Sequence, residues 1–225
     1  MYRLVAFHPS RSLSIEPVAD GLEMSSAQGR TCGDCSLCCS VLRVDELGKL
    51  GGTPCVHQDI GTKGCSIHAR RPGICRAYRC LWLSGGLEDD DRPDRLGAVL
   101  DVVAEGPVVR LEIRESRPGV FDVSERLAAI AEGYCASMPV RITDVGDVMD
   151  PDRSHRLLLP GGEEHRVDGD WTEVRKPGQA PYRQRLPWLE RSFRRLLLGV
   201  RRAQVKRIRW RSSVPADPAN GTPED

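Results

Sequence analysis

The sequence predicts an α+β fold, and three observations support that prediction. Eight of the nine cysteines fall between positions 32 and 80, in a segment short of aliphatic residues. Two apolar runs, 97–104 and 107–115, are separated by Glu105-Gly106, and the second alternates with polar residues at the period of a β-strand. Residues 187–210 space leucine, phenylalanine and valine at the period of a helix. We therefore expect a small irregular cysteine module, a short strand and helix region, and a basic C-terminal helix.

Composition narrows the class of protein. The chain has 225 residues, enough for one good core, and its formal net charge of +1 points globally to neither nucleic acid nor membrane. No apolar run approaches the roughly 18 residues that span a bilayer. The first residues lack the consecutive features of a secretory signal. We therefore expect a cytoplasmic location, where thiols stay reduced.

The first 29 residues are polar and show no periodicity, which predicts a flexible leader. Met24 lies just ahead of the first cysteine and is an alternative start to Met1. The intact mass of protein expressed from its own ribosome site distinguishes the two starts.

The cysteine module spans residues 30–84, and its cysteines are ordered C-x2-C-x2-C-C, fifteen residues, C-x9-C-x9-C-x4-C. Two residues between cysteines let the backbone turn so that both sulfurs face one ion. Clustering in a reducing compartment favours metal over disulfides. The segment is too poor in apolar residues to fold alone, so we expect bound metal to stabilise it. The predicted ligands are Cys32, Cys35, Cys38, Cys39, Cys55, Cys65, Cys75 and Cys80.

The adjacent pair Cys38-Cys39 bears on the number of sites. Adjacent side chains of an extended chain point in opposite directions, which favours two sites with one member of the pair in each. Eight thiolates divide into two sets of four, the number that suits structural zinc or a [4Fe-4S] cluster. One cluster with the other cysteines structural is the alternative, and zinc against iron–sulfur stays open. His57 and His68 are alternative ligands that the count does not need.

Four arginines lie between the later cysteines. They can donate hydrogen bonds toward sulfur or offset the charge of the thiolates, or they can be solvated surface residues. The four are Arg70, Arg71, Arg76 and Arg79.

The cysteine module resembles the YkgJ-type cysteine cluster family with its CxxCxxCC signature. The resemblance rests on four runs that occur in this order: Cys32-Gly-Asp-Cys-Ser-Leu-Cys-Cys39, Gly64-Cys-Ser-Ile-His68, Arg71-Pro72 and Cys75-Arg-Ala-Tyr-Arg-Cys80-Leu-Trp82. That family is described as a zinc- or iron-chelating domain. The resemblance covers about residues 30–84 and implies metal chelation by these cysteines. His68 stands where many members have tyrosine, which keeps a histidine ligand open. A flagellin lysine-N-methylase with a similar cysteine domain implies an iron–sulfur cluster, although residues beyond 95 do not match it.

The region 95–160 predicts a small α+β unit. The two apolar runs form a hairpin with one face toward water. A helix covers 123–132, with Ser124 as N-cap and Gly133 near its end. A strand follows at 140–145, and residues 148–149 and 157–159 complete the sheet. Residues 160–181 have the composition of a loop.

The segment 183–211 predicts a basic amphipathic helix, followed by a disordered tail at 212–225. It carries eleven arginines and lysines against one acid, Glu190. Such a helix can bind phosphates, dock on its own core or touch anionic lipid.

Three function classes follow. The first is a metal-binding protein that coordinates zinc or an iron–sulfur cluster. The second is an iron–sulfur-dependent protein-modifying enzyme, similar to a lysine methylase. The third is a nucleic-acid-associated protein that uses the basic helix. The sequence contains no hydrolase elbow, Walker loop or glycine-rich nucleotide fingerprint, so catalytic residues and a reaction are not assigned.

Overall fold

A computed structural model describes residues 29–59, 64–147, 150, 153–193, 195–196, 199–200 and 203. The expected leader to residue 28, the expected tail at 212–225, and Val148 and Met149 lie outside the described residues.

The cysteine module is built from short elements. Helix α1 (Leu37–Val41) bears Cys38 and Cys39, and a 3-10 turn at Asp45–Leu47 ends at Gly48, where φ is +60°. The remaining elements are β1 (Gln58–Asp59), β2 (Gly64–Cys65), a second 3-10 turn (His68–Arg70) and α2 (Gly73–Ala77).

A seven-stranded sheet forms the other part of the fold. The elements in chain order are α3 (Pro93–Leu96), β3 (Ala98–Glu105), β4 (Val108–Glu115), α4 (Val120–Val123), α5 (Glu125–Cys135), β5 (Val140–Thr143), β6 (His155–Leu159), β7 (Glu163–Asp168), β8 (Trp171–Arg175) and β9 (Tyr182–Arg185). The strand order follows the chain, and every neighbouring pair is antiparallel except β4 and β5. Helices α4 and α5 make the crossover between those two parallel strands.

The mixed helix and sheet content confirms the α+β class. The hairpin, the helix capped by Ser124 and the strands at 140–143 and 157–159 are also confirmed. The Ser124 hydroxyl accepts a 3.2 Å hydrogen bond from the backbone N–H of Leu127. Helix α5 continues past Gly133 to Cys135.

The hydrophobic core lies between α5 and one face of β3–β5. Apolar side chains of the strands pack there against the inner face of the helix. The alternate residues Leu111 and Ile113 of β4 face this core, because successive side chains of a strand point to opposite faces. Its members include Leu100, Leu111, Ile113, Leu127, Ile130, Val140 and Ile142.

The second face of β3–β5 does not face water, contrary to the expectation from the alternating pattern. Asp101 and Glu112 are buried on it, and Arg114 pairs with Asp101. Tyr78 of the cysteine module donates a hydrogen bond to the same Asp101 carboxylate. The polar residues of this face therefore form an ion-paired layer, and the module lies against that layer at Asp101.

The expected loop at 160–181 is wrong, because β7 and β8 lie there. These strands are polar, and they add to the sheet by main-chain pairing with little apolar burial. The expected helix at 183–211 also begins too early, because Arg183 and Arg185 belong to β9. Residues 188–193, 195–196, 199–200 and 203 are helical. Most of the basic stretch beyond 200 lies outside the described residues, so the basic helix as a whole stays a prediction.

Candidate metal centre

The first three module cysteines lie on a turn that runs into α1. The backbone N–H of Cys35 donates a 2.8 Å hydrogen bond to the carbonyl of Cys32. Gly33, with φ of +53°, supplies the left-handed backbone that this turn requires. Cys38 follows within α1, and its carbonyl accepts a 3.0 Å hydrogen bond from Leu42. Local backbone hydrogen bonds therefore contribute to the shape of the C-x2-C-x2-C loop.

Cys38 and Cys39 are consecutive residues of α1, and their side chains are hydrogen-bonded to each other. This contact, together with burial, raises the pKa of the Cys38 thiol. The same contact lowers the pKa of Cys39, and the ammonium group of Lys49 acts in the same direction. Consecutive side chains of a helix diverge by about 100° instead of pointing in opposite directions. The two sulfurs can therefore touch while each faces different neighbours.

A first group of thiols consists of Cys32, Cys35, Cys38 and Cys80. Burial raises the pKa of Cys80, and the negative charges of Cys32 and Cys35 add to the effect. The same two cysteines contribute to the raised pKa of Cys38. Charge effects of this kind weaken over roughly 8–10 Å at physiological ionic strength, so we group these four thiols by their mutual electrostatic influence.

Backbone N–H groups are directed at two sulfurs of the first group. Burial raises the pKa of Cys35, while hydrogen bonds from the N–H groups of Leu37 and Asp94 oppose that rise. Cys80 receives a backbone hydrogen bond from Leu83. Hydrogen bonds of this type favour the thiolate, which is the form that binds metal. The surroundings of this group therefore suit thiolate ligands.

A second group consists of Cys39, Cys55, Cys65 and Cys75. Burial raises the pKa of Cys75, and the negative charges of the other three members add to it. The backbone N–H of Cys55 donates a 3.0 Å hydrogen bond to the carbonyl of Cys39. Cys65 lies in β2, opposite Gln58 of β1. Four separate segments thus bring this group together.

Lys49 is a functional candidate that the sequence analysis did not single out. Its side chain is buried, and the ammonium group donates to the carbonyls of Ser40 and Leu50 at 3.4 and 3.1 Å, and also to that of Leu42. Burial lowers its pKa, which the negative charges of Cys55, Cys39 and Cys38 oppose. Lys49 therefore supplies positive charge where the two groups meet. Its one sequence signal is rarity, since the chain has only four lysines among its basic residues.

The arginines between the later cysteines have different positions. Arg71 is near enough to Cys39 to lower its pKa, and its guanidinium contacts Nε2 of His68. Arg70, Arg76 and Arg79 are exposed. One arginine of the four thus lies beside a thiol of the module, and the others lie at its surface.

All nine cysteines are free thiols. Within the part of the chain that the structure describes, no three histidine, cysteine or acidic side chains are close enough together to hold a metal ion. The thiols of each group are therefore not at metal-ligand spacing. Cys135 is set apart in α5, where it packs against the hydrophobic core.

No family model, curated protein or solved structure matches this chain. No helix among the described residues is long and apolar enough to cross a membrane.

Proposed function

We propose that this chain is a metal-binding protein whose eight clustered cysteines coordinate zinc or an iron–sulfur cluster at two four-cysteine sites. Cys32, Cys35, Cys38 and Cys80 form the first site. Cys39, Cys55, Cys65 and Cys75 form the second site. The observation that carries this proposal is the order and spacing of the eight cysteines, and the charge effects among their thiols favour a division into two sets of four.

The chemistry of the donors supports metal. Eight thiols fall within one module without a disulfide, and four thiolates are a complete ligand set for zinc or for a [4Fe-4S] cluster. Four thiolates around a divalent zinc leave about two negative charges at each site. The ammonium of Lys49 and the guanidinium of Arg71 lie where they offset part of that charge.

The role of the bound metal depends on whether it is zinc or an iron–sulfur cluster. Zinc would hold the module together, and an iron–sulfur cluster would in addition supply one-electron chemistry. The short elements of the module bury only a few apolar side chains of their own, among them Val41, Val44 and Leu50. Metal binding would therefore contribute folding free energy to this part of the chain. The resemblance to the YkgJ-type family points to the same function, and the free thiols fit a reducing, cytoplasmic location.

Anaerobic purification tests the proposal. A visible spectrum and analysis of iron, sulfide and zinc are made on one sample. Broad visible absorption with matching iron and sulfide identifies a cluster, and a colourless protein with two zinc ions identifies a structural zinc module. A protein that holds neither metal after anaerobic reconstitution with each contradicts the proposal.

A further inference from the structure

The helical residues after β9 expose large apolar side chains. Trp188, Leu189 and Phe193 are 67%, 63% and 63% exposed, and Leu196 and Val200 are 68% and 55% exposed. Scattered exposed apolar residues are ordinary, but a contiguous set marks an interaction surface. The described core therefore does not cover the apolar side of this segment.

The helical period assigns these five positions to one side, and the described residues 188–193, 195–196 and 199–200 are helical. At about 100° per residue, they fall within a sector of about 140°. In the sequence, arginines at positions 191, 194, 195, 201 and 202 are assigned by the same period to the opposite side, with Leu198 as the one leucine among them. Separate apolar and arginine-rich sides are typical of helices that lie in a membrane interface.

Local contacts fix where the segment leaves the sheet. The backbone N–H of Leu186 donates a 2.9 Å hydrogen bond to the carbonyl of Asp170, and Arg191 donates from its backbone to Pro187 at 3.0 Å. Just before it, the guanidinium groups of Arg183 and Arg185 lie 5.7 and 5.4 Å from the ring centre of Trp171. The arginines of β9 and the exposed indole of Trp171 in β8 therefore lie next to the start of the helical residues.

The charge of the segment selects an anionic partner. Residues 183–211 carry eleven basic residues and one acid. Nucleic acid would pair with the arginines but would leave Leu189 and Phe193 in water, because phosphates offer no apolar phase. An anionic bilayer accommodates both sides, since acyl chains receive the apolar residues and headgroup phosphates receive the arginines.

We propose that the segment beginning at Pro187 binds the surface of an anionic lipid bilayer, with Trp188, Leu189 and Phe193 inserted at the boundary of headgroups and acyl chains. The segment lies in the plane of the interface. The binding is independent of metal in the cysteine module, because no module residue takes part in it.

Vesicle co-sedimentation of the full chain tests this proposal. The probes are vesicles of phosphatidylcholine alone and of an equal mixture of phosphatidylcholine and phosphatidylglycerol. The test variant carries Leu189→Glu and Phe193→Glu, both at exposed positions, so the fold should be unchanged. The matched control is Val123→Glu, which changes another exposed apolar residue, in α4.

We expect the wild type and Val123→Glu to bind the mixed vesicles and to bind phosphatidylcholine at least about tenfold more weakly. The double variant should lose about tenfold or more of its affinity for mixed vesicles. Quenching of tryptophan fluorescence by brominated lipid should accompany binding by the wild type. Absence of vesicle binding overturns the proposal, as does equal binding by the double variant. Binding to duplex DNA or RNA without vesicle binding, or a wild-type dimer that the double variant abolishes without vesicle binding, also overturns it.

Discussion

The phenol group of Tyr78 donates a 2.5 Å hydrogen bond to Oδ1 of Asp101, joining the cysteine module to the edge strand of the sheet. Tyr78 lies between Cys75 and Cys80, one from each thiol group. Asp101 also pairs with Arg114, and burial raises the pKa of both Asp101 and Tyr78. The positions of the last two cysteines are therefore set against a rigid strand.

Replacing Tyr78 with phenylalanine tests this connection. The change removes the donor and leaves the buried Asp101 carboxylate with Arg114 alone. We expect the free energy of unfolding to fall by about 1–3 kcal/mol, because a buried charged acceptor loses a partner. Urea denaturation measures the loss. The control Tyr182→Phe, at an exposed position of β9, should change it by less than about 0.5 kcal/mol. Equal midpoints for both variants would show that the Tyr78 bond does not stabilise the fold.

A second connection joins Gly51 and Gly52 to the chain after β5. The N–H of Gly51 donates a 2.7 Å hydrogen bond to Oδ2 of Asp147, and Oδ1 of the same carboxylate pairs with Arg43 at 2.9 Å. A Cβ atom on Gly52 would lie 2.8 Å from the backbone nitrogen of Gly146. The module and the sheet thus approach each other backbone to backbone.

A comparison of Gly52→Ala with Gly106→Ala should distinguish the cost of this close backbone contact from the cost of a left-handed backbone conformation. Gly52 has φ of +72°, and Gly106 has φ of +60° with open space around it. Gly106→Ala should cost about 1 kcal/mol through its left-handed backbone alone. Gly52→Ala should cost at least about 2 kcal/mol, because the backbone it meets must also move. Thermal unfolding of the two variants compares the costs. Similar losses of stability in the two variants would contradict the prediction, because they would show that the backbone near Gly146 moves at little cost.

The buried Asp91 predicts a pH dependence. Its carboxylate receives two hydrogen bonds from Arg126, at 2.7 and 2.6 Å, and they lower its pKa. Because the pKa is lower in the folded than in the unfolded chain, the stabilisation is complete above about pH 4 and is lost as the pH falls through the folded-state value. Asp91→Asn should therefore cost about 1–3 kcal/mol at neutral pH, and its difference from wild type should shrink in acid.

Urea denaturation across pH measures this dependence. Asp90→Asn is the matched control, since Asp90 pairs with Arg95 at an exposed position. It should change stability little at any pH. A difference between Asp91→Asn and wild type that stays constant from neutral to acidic pH would contradict the assignment.

Parts of the fold were predictable because local signals and packing agree. The β3–β4 hairpin has an apolar face that the core buries, and the Ser124 cap directly precedes the apolar positions of α5. Strands β7–β9 had no such signal, because they carry polar residues on both faces and gain their pairing from neighbouring main chain. A single sequence does not encode that neighbour locally.

The candidate site shows the same division. The spacing of Cys32, Cys35 and Cys38 predicts a loop, since the turn is local. The partner thiol Cys80 and the buried Lys49 come from folding of distant segments, and no spacing rule reports them. The helical conformation at Cys38-Cys39 was also not expected. It makes the two side chains diverge by about 100°, whereas in an extended chain they would point in opposite directions.

The most direct test of the central claim, that there are two four-cysteine sites, is the metal content of cysteine variants. Single and paired variants are each measured after the same anaerobic reconstitution. Cys35→Ser should retain about half of the wild-type metal, and adding Cys80→Ser from the same group should remove no more. Combining Cys35→Ser with Cys75→Ser from the other group should remove nearly all of it, while the control Cys135→Ser keeps full content. Equal losses from the two paired variants, or full metal content in Cys35→Ser, would contradict the division.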